Sequence, residues 1–95
     1  MTSELESVEC ARVYWHSRRG MLELDLVLMP FAENVYPTLD QEDRRCYRAL
    51  LECEDADMFA WLIHGVEAAD PDIDRIIRRI RDHGRPATEH QDQGI

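Results

Sequence analysis

Apolar residues along most of the chain recur every three to four positions, which is the spacing of one face of an α-helix. The clearest case follows Asp70-Pro71, where isoleucines occupy positions 73, 76, 77 and 80. Asp70 is a suitable N-cap and Pro71 suits the first turn of a helix, whereas Gly84 and Pro86 are typical of a helix end. We therefore predict a helix that starts at Pro71, ends near Gly84 and turns its isoleucines toward the core.

Two further apolar segments lie near the N-terminus, and Gly20 separates them. Ser3 and Glu6 fit a capping box, and the chain then keeps helical spacing to about Ser17 through Leu5, Val8, Ala11 and Trp15. The second segment, residues 21–35, is ambiguous because its leucines at 22, 24, 26 and 28 also alternate as in a strand. A helix is the better interpretation, since a lone strand would have no partner. Pro30 is expected to kink or end this helix.

Turn and cap signals divide the middle of the chain into two more helices. Asp40 or Thr38 can cap a third helix, whose apolar face is Cys46, Tyr47, Leu50 and Leu51. A fourth is predicted from Ala56 to His64, with Gly65 as its stop and a core side made by Phe59, Leu62 and Ile63. The pattern predicts an all-α fold, a compact antiparallel bundle of five short helices, formed by residues 1–84 as one domain. Residues 85–95 are polar and are predicted to be a disordered tail.

Charge and hydropathy narrow the classes of partner. The formal net charge is −9 at pH 7, and a surface of that sign disfavours phosphate contacts, so we expect no nucleic-acid partner. No apolar run approaches the roughly 20 residues that span a bilayer, so direct membrane insertion is not expected. The N-terminus is acidic and has no apolar signal segment, which makes the cytoplasm the expected location.

Sequence signatures of metal sites, cofactor sites and catalysis are missing. The three cysteines, Cys10, Cys46 and Cys53, form no C-x-x-C pair, and the histidines show no ligand spacing, so we predict no metal site. The four glycines are isolated and build no phosphate-binding loop, and no nucleophile or protease motif occurs. A bundle of this size rarely encloses a deep pocket. The chain is therefore predicted not to be an enzyme and to bind no cofactor stably.

The most informative segment joins the first two helices and reads Trp15-His-Ser-Arg-Arg-Gly-Met-Leu-Glu-Leu-Asp25. Arg19 and Glu23 lie four positions apart and would share one face of a continuous helix. One interpretation is a glycine-terminated helix with a surface salt bridge, which stabilises a fold very little. The other is a partner-binding patch, in which Gly20 lets a partner's backbone approach and the charged pair offers hydrogen bonds. Trp15 would be an aromatic anchor of that patch, or equally a core residue.

The same segment carries a resemblance to a known family. Arg19-Gly-Met-Leu-Glu23 matches the R-G-x-x-E motif of the succinate dehydrogenase assembly factors, called SdhE in bacteria. The similarity extends over roughly residues 10–83, through Met29-Pro-Phe31, Leu50-Leu-Glu-Cys-Glu-Asp55 and Asp57-Met-Phe-Ala-Trp-Leu62. The motif alone is a weak signal, whereas these stretches in register are specific. The acidic residues at 1–9 and the polar tail depart from the family pattern, and neither touches the motif.

The resemblance implies a chaperone-like assembly factor built as a small helical bundle. Such factors bind the flavoprotein subunit of succinate dehydrogenase or fumarate reductase and promote its covalent flavinylation, a bond between the 8α-methyl group of FAD and a histidine. FAD would then be the cofactor of the client protein. Carried over by position, the contact core is Arg19, Gly20 and Glu23, expected to be exposed, and the flanking contacts are Trp15, Arg18, Met21 and Asp25. The alternative is an antitoxin-like or regulatory protein–protein interaction module.

Overall fold

The computed structural model describes residues 3–84, which form five α-helices and one 3-10 turn. The helices are α1 (Ser3–His16), α2 (Leu22–Asn34), α3 (Gln41–Leu51), α4 (Asp55–Leu62) and α5 (Pro71–Gly84), and the 3-10 turn is Tyr36–Thr38. No strand occurs within these residues, so the predicted all-α class is confirmed and the ambiguous segment after Gly20 is a helix. The antiparallel order stays a prediction, and the predicted tail at 85–95 lies outside the described residues.

Side-chain caps start α3 and α5, and of the two candidates for α3 the cap is Asp40. The backbone amide of Asp43 donates to Asp40 Oδ1 at 2.8 Å at the start of α3. The amide of Asp72 donates to Asp70 Oδ1 at 2.8 Å at the start of α5. These bonds satisfy amides that have no partner inside the helix, and the negative charge suits the positive end of the helix dipole. No helix between residues 3 and 84 has the length and apolar character to cross a bilayer.

Pro30 does not stop α2, which continues to Asn34. The turn that follows the proline buries Phe31 and Ala32 almost completely. That burial outweighs the one backbone hydrogen bond that proline cannot donate.

The core lies between α2, α3 and α5 and receives one side chain from α4. All four isoleucines of α5 are buried, together with Leu50 and Leu51, as predicted. On α4 the fully buried residue is Met58, whereas the predicted core residues Phe59 and Leu62 are half-buried. The prediction that Ile63 faces the core was wrong, because α4 ends at Leu62 and Ile63 lies in the following loop. The largest fully buried side chains are Tyr36, Tyr47, Phe31, Leu24, Leu28, Leu50, Leu51, Met58, Ile76, Ile77 and Ile80.

Helix α1 exposes most of the apolar stripe that the sequence predicted. Its apolar residues Leu5, Val8 and Trp15 are exposed, whereas Val13 is buried. Glu6 and Glu9 instead point to α3, where Arg44 forms salt bridges with both. The Arg44 side chain is almost fully buried, so its charge must be paired, and the two carboxylates meet that need. This pairing places the apolar stripe of α1 on the outside of the molecule.

Candidate partner-binding site

Residues 17–21 join α1 to α2 and form a segment that we call the motif loop. The chain turns at Gly20, whose φ is +81°. Residues with a side chain rarely adopt this conformation, so the turn itself requires glycine. A Cβ built on Gly20 would meet no atom within 4 Å. A side chain at this position would therefore project into open space, where only a partner could meet it.

The carboxylate of Asp25 holds the backbone of the motif loop. Its Oδ1 accepts a hydrogen bond from the Arg19 amide at 2.7 Å, and its Oδ2 accepts one from the Gly20 amide at 3.3 Å. Asp25 lies in the first turn of α2, so it ties the loop to the helix that follows. The structure thus places Asp25, predicted as a flanking contact, in a bonded position inside the site.

Ser17 anchors the start of the loop to the core. It is fully buried, its Oγ donates to the Val13 carbonyl at 2.7 Å, and its Oγ lies 2.7 Å from the Tyr47 hydroxyl on α3. Burial raises the pKa of Tyr47 to about 12, so this hydroxyl stays neutral at physiological pH. Two buried hydroxyls that pair with each other remove the penalty for leaving either unsatisfied.

Arg19 reaches away from the surface and joins three helices. Its side chain is only 12% exposed. The guanidinium donates to the carbonyl of His16 at 3.0 Å and to the carbonyl of Leu51, the last residue of α3. Its Nε lies 3.2 Å from Asp55 Oδ1, in the first turn of α4. Two stretches that carry the family resemblance, residues 18–25 and 50–55, therefore meet at this one side chain.

The expectation that Arg19 is exposed was wrong. Helix α1 ends at His16, and the positive φ of Gly20 redirects the chain before α2 begins. Arg19 and Glu23 are therefore not on one continuous helix, and the helical spacing that suggested a shared face does not apply. Asp55 is the carboxylate that pairs with Arg19.

Glu23 remains on the surface with a free carboxylate. Glu23 is exposed, and its carboxylate makes no hydrogen bond or salt bridge with any residue of the described range 3–84. Trp15, Leu22 and Leu26 are 64%, 69% and 66% exposed. Trp15 is therefore not a core residue; its ring packs edge-on with Tyr14, with centroids 5.2 Å apart. Leu26 lies one turn from both Leu22 and Glu23 on α2, so apolar side chains flank the carboxylate.

We call Trp15, Gly20, Leu22, Glu23 and Leu26 the contact face. Sequence reasoning assigned no binding role to Leu22 and Leu26. Helical spacing could have indicated them, because it puts Leu22 and Leu26 on the opposite side of α2 from Leu24 and Leu28. The latter two are fully buried in the structure. Of the other predicted contacts, Arg18 is exposed without a partner among residues 3–84, and Met21 is half-buried against the core.

One group of side chains in the described range has the composition of a metal site. The ligand atoms of Glu42, Cys46 and Asp72 lie within 4.8 Å of one another. Arg45, however, bridges the two carboxylates and already supplies the positive charge. Burial raises the pKa of the Cys46 thiol, which disfavours the thiolate that a metal needs. The cluster is an ion-pair network between α3 and α5, and the absence of a metal site stays a prediction.

The comparisons with known proteins identify a family over most of the described residues. Residues 11–84 match the family described as the flavinator of succinate dehydrogenase. This chain belongs to that family. The match includes the motif loop and the α3–α4 junction that Arg19 connects, and it leaves out Leu5 and Val8 of the exposed stripe on α1.

Curated relatives are similar along nearly their whole length. The chain is 51% identical over 82 residues to the FAD assembly factor SdhE of Pseudomonas putida, which covers 86% of this chain and 98% of that protein. It is 53% identical over 81 residues to the same factor of Pseudomonas aeruginosa, covering 85% and 96%. It is 43% identical over 82 residues to that of Shewanella oneidensis, covering 86% and 100%.

These names describe assembly factors, the non-catalytic class that the sequence predicted. They also leave the antitoxin-like alternative with no observation in its favour.

Proposed function

We propose that this chain binds the flavoprotein subunit of succinate dehydrogenase and assists the covalent attachment of FAD to it. Family membership supports the role in flavinylation. The observation that carries the binding site is the contact face, where Glu23 is exposed and unpaired within the described residues and Gly20 borders open space. The fumarate reductase flavoprotein subunit, which accepts the same cofactor chemistry, is the second client in this proposal.

The composition of the contact face suits a protein partner. A tryptophan and two leucines that remain exposed lose their contact with water when a partner covers them, and that burial favours binding. Glu23 can accept a charge-assisted hydrogen bond from an arginine or lysine of the partner. The glycine allows the partner's backbone to approach the loop closely. An interface of this kind has an aromatic anchor, apolar surroundings and one specific polar contact.

The chemistry of flavinylation belongs to FAD and to the client histidine. This chain contributes by holding the client in a geometry where the histidine and the flavin meet, which is a positioning effect. The proposal includes no FAD site on this chain. A groove of about 330 Å³ lies between α1 and α3; it is open, and Arg12 and Arg48 line it together with Glu9. An open surface groove does not enclose a ligand as a cofactor pocket does.

Calorimetry of the purified chain with free FAD tests that part of the proposal, and tight stoichiometric binding without the client would contradict it. The cytoplasmic location expected from the sequence stays a prediction.

The decisive experiment compares Glu23→Ala and Gly20→Arg with the control Gly65→Arg. Gly65 also has a positive φ, +75°, and a Cβ added to it would likewise meet open space, but it lies after α4. Both arginine variants therefore carry the same backbone strain and the same charge change. Each variant is mixed with the apo flavoprotein subunit and FAD. Client affinity and the flavin fluorescence that stays with the subunit on a denaturing gel are then measured.

We expect Glu23→Ala and Gly20→Arg to lose client binding and the covalent flavin signal, whereas Gly65→Arg retains both. Truncating a charge that is desolvated at an interface costs about 2–5 kcal/mol, which corresponds to at least about 30-fold in affinity. Full flavinylation by folded Glu23→Ala would disprove the assignment of binding to this face. Unfolding of Glu23→Ala would also disprove it, because the residue would then be structural.

A further inference from the structure

The motif loop is held from the side of α4 by a contact that the family motif does not contain. Arg19 Nε is buried and lacks a partner with good hydrogen-bond geometry among the described residues. The carboxylate of Asp55, 3.2 Å away, is the only negative charge that the structure of residues 3–84 places against it. Asp55 itself is 45% exposed, so it bridges a buried cation and the solvent.

The rest of the Arg19 side chain depends on this placement. Its two terminal nitrogens donate to the carbonyls of His16 and Leu51 at the C-terminal ends of α1 and α3. The negative ends of these helix dipoles favour a cation there. Because the backbone amides of Arg19 and Gly20 both bind Asp25, a displaced guanidinium would also pull on the backbone that precedes Glu23.

We propose that Asp55 is a positioning residue for client binding: through Arg19 it holds Gly20 and Glu23 in the arrangement that the client recognises, without contacting the client. This inference rests on the proposed function. When only part of the population has the competent loop, the measured affinity falls by that fraction. A loop competent in about one molecule in ten would weaken client binding about tenfold.

The test substitution is Asp55→Asn, with Asp57→Asn as the matched control. Both residues lie in the first turn of α4 and lose the same charge, but Asp57 is exposed and has no bonded partner in the described part of the chain. Asp55→Glu keeps the carboxylate and serves as the conservative rescue. The affinity of the full chain for the apo succinate dehydrogenase flavoprotein subunit is measured at a temperature where every variant is folded.

A second measurement reports on the loop without the client. Amide resonances of the free, nitrogen-15-labelled chain show whether the Arg19 and Gly20 environments change. We expect Asp55→Asn to shift both amides and to weaken client binding about tenfold. Asp57→Asn should leave the two amide shifts and the client affinity at their wild-type values. Asp55→Glu should recover most of the affinity.

Several outcomes separate this inference from the proposed function. If Asp55→Asn binds the client like wild type while Glu23→Ala does not, Asp55 has no positioning role and the proposed function stands. If Asp57→Asn weakens binding as much as Asp55→Asn, the effect is one of net charge and the inference is overturned. If the wild-type chain binds no flavoprotein subunit, the proposed function fails, and this inference fails with it.

Discussion

Helices α1 and α5 have the same length, 14 residues, yet they use their apolar residues in opposite ways. In α5 the isoleucines face the core, and Arg75 and Arg79 pair with the buried carboxylate of Asp43 on α3. In α1 the apolar residues Leu5, Val8 and Trp15 are exposed, and Glu6 and Glu9, which are themselves partly exposed, pair with the buried Arg44. Both helices form ion pairs with α3, but α5 adds four buried isoleucines, whereas Val13 is the one buried side chain among residues 5–16 of α1.

The difference shows that a buried charge can decide which side of a helix faces the core, even when the helix carries an apolar stripe. Arg44 on α3 is almost fully buried, and it also donates to the carbonyls of Leu39 and Pro37. Leaving this cation without a carboxylate would cost more than exposing a few apolar side chains. The orientation of α1 follows from that pairing. One result is that Trp15, at the end of α1, remains available next to the motif loop.

The largest effect is expected in the core packing of α5. Ile77→Ala removes a side chain with no exposed surface and should lower the free energy of unfolding by about 2–5 kcal/mol. Val8→Ala on α1 is the matched control and should change it by less than about 0.5 kcal/mol, because Val8 is exposed. Urea denaturation of both variants provides the measurement. Equal losses would show that the two helices are not held differently.

A smaller loss is expected when the charged support of α1 is removed. Arg44→Ala leaves the Leu39 and Pro37 carbonyls without their donor, while Glu6 and Glu9 are exposed enough to bind water instead. The expected cost is about 1–3 kcal/mol. Arg45→Ala, one residue further on α3, removes only exposed ion pairs and should cost at most about 1 kcal/mol. A larger loss from Arg45→Ala than from Arg44→Ala would mean that burial does not decide how strongly these arginines stabilise the fold.

The loss of stability at low pH should depend on the ion pair of α1 and not on the apolar packing of α5. The hydrogen bond from Arg44 lowers the pKa of Glu6. A depressed folded-state pKa stabilises the protein above the unfolded value of about 4.3, and this stabilisation is lost as the pH falls through the lower folded value.

Thermal unfolding of Glu6→Gln between pH 6 and 3 should therefore show a weaker loss of stability with acid than wild type does. Ile77→Ala should lower the whole curve and keep the wild-type slope, since it removes no titrating group. A Glu6→Gln curve parallel to wild type would mean that the pair with Arg44 does not form.

The smallest effect on stability is expected for Trp15→Ala. The exposed indole contacts Tyr14 edge-on, and losing such a contact should cost less than about 1 kcal/mol. Under the proposed function the same change should weaken client binding, since the ring belongs to the contact face. The melting temperature and the client affinity are measured on one preparation. A strong loss of stability would place Trp15 in the fold and would break the contrast between the two helices.

Sequence periodicity determined several parts of this protein. Together with residue types that favour caps, it predicted the all-α class, the five helices, a cap at Asp40 or Thr38, the Asp70 cap and the buried face of α5. These features depend on contacts within a few residues and on apolar faces with no competing charge, so local rules are sufficient. The R-G-x-x-E stretch also identified the family, because its neighbouring stretches matched in register.

Only the tertiary structure decided the orientation of α1 and the different positions of the two charged motif residues, with Arg19 buried and Glu23 exposed. Arg44 and Glu6 lie 38 positions apart, and Arg19 meets Leu51 at a separation of 32, so no local pattern contains either contact. The sequence treated Arg19 and Glu23 as one charged pair. Folding separates them, because a buried guanidinium needs the carbonyls and carboxylate that α3 and α4 bring to it, whereas an exposed carboxylate can remain hydrated.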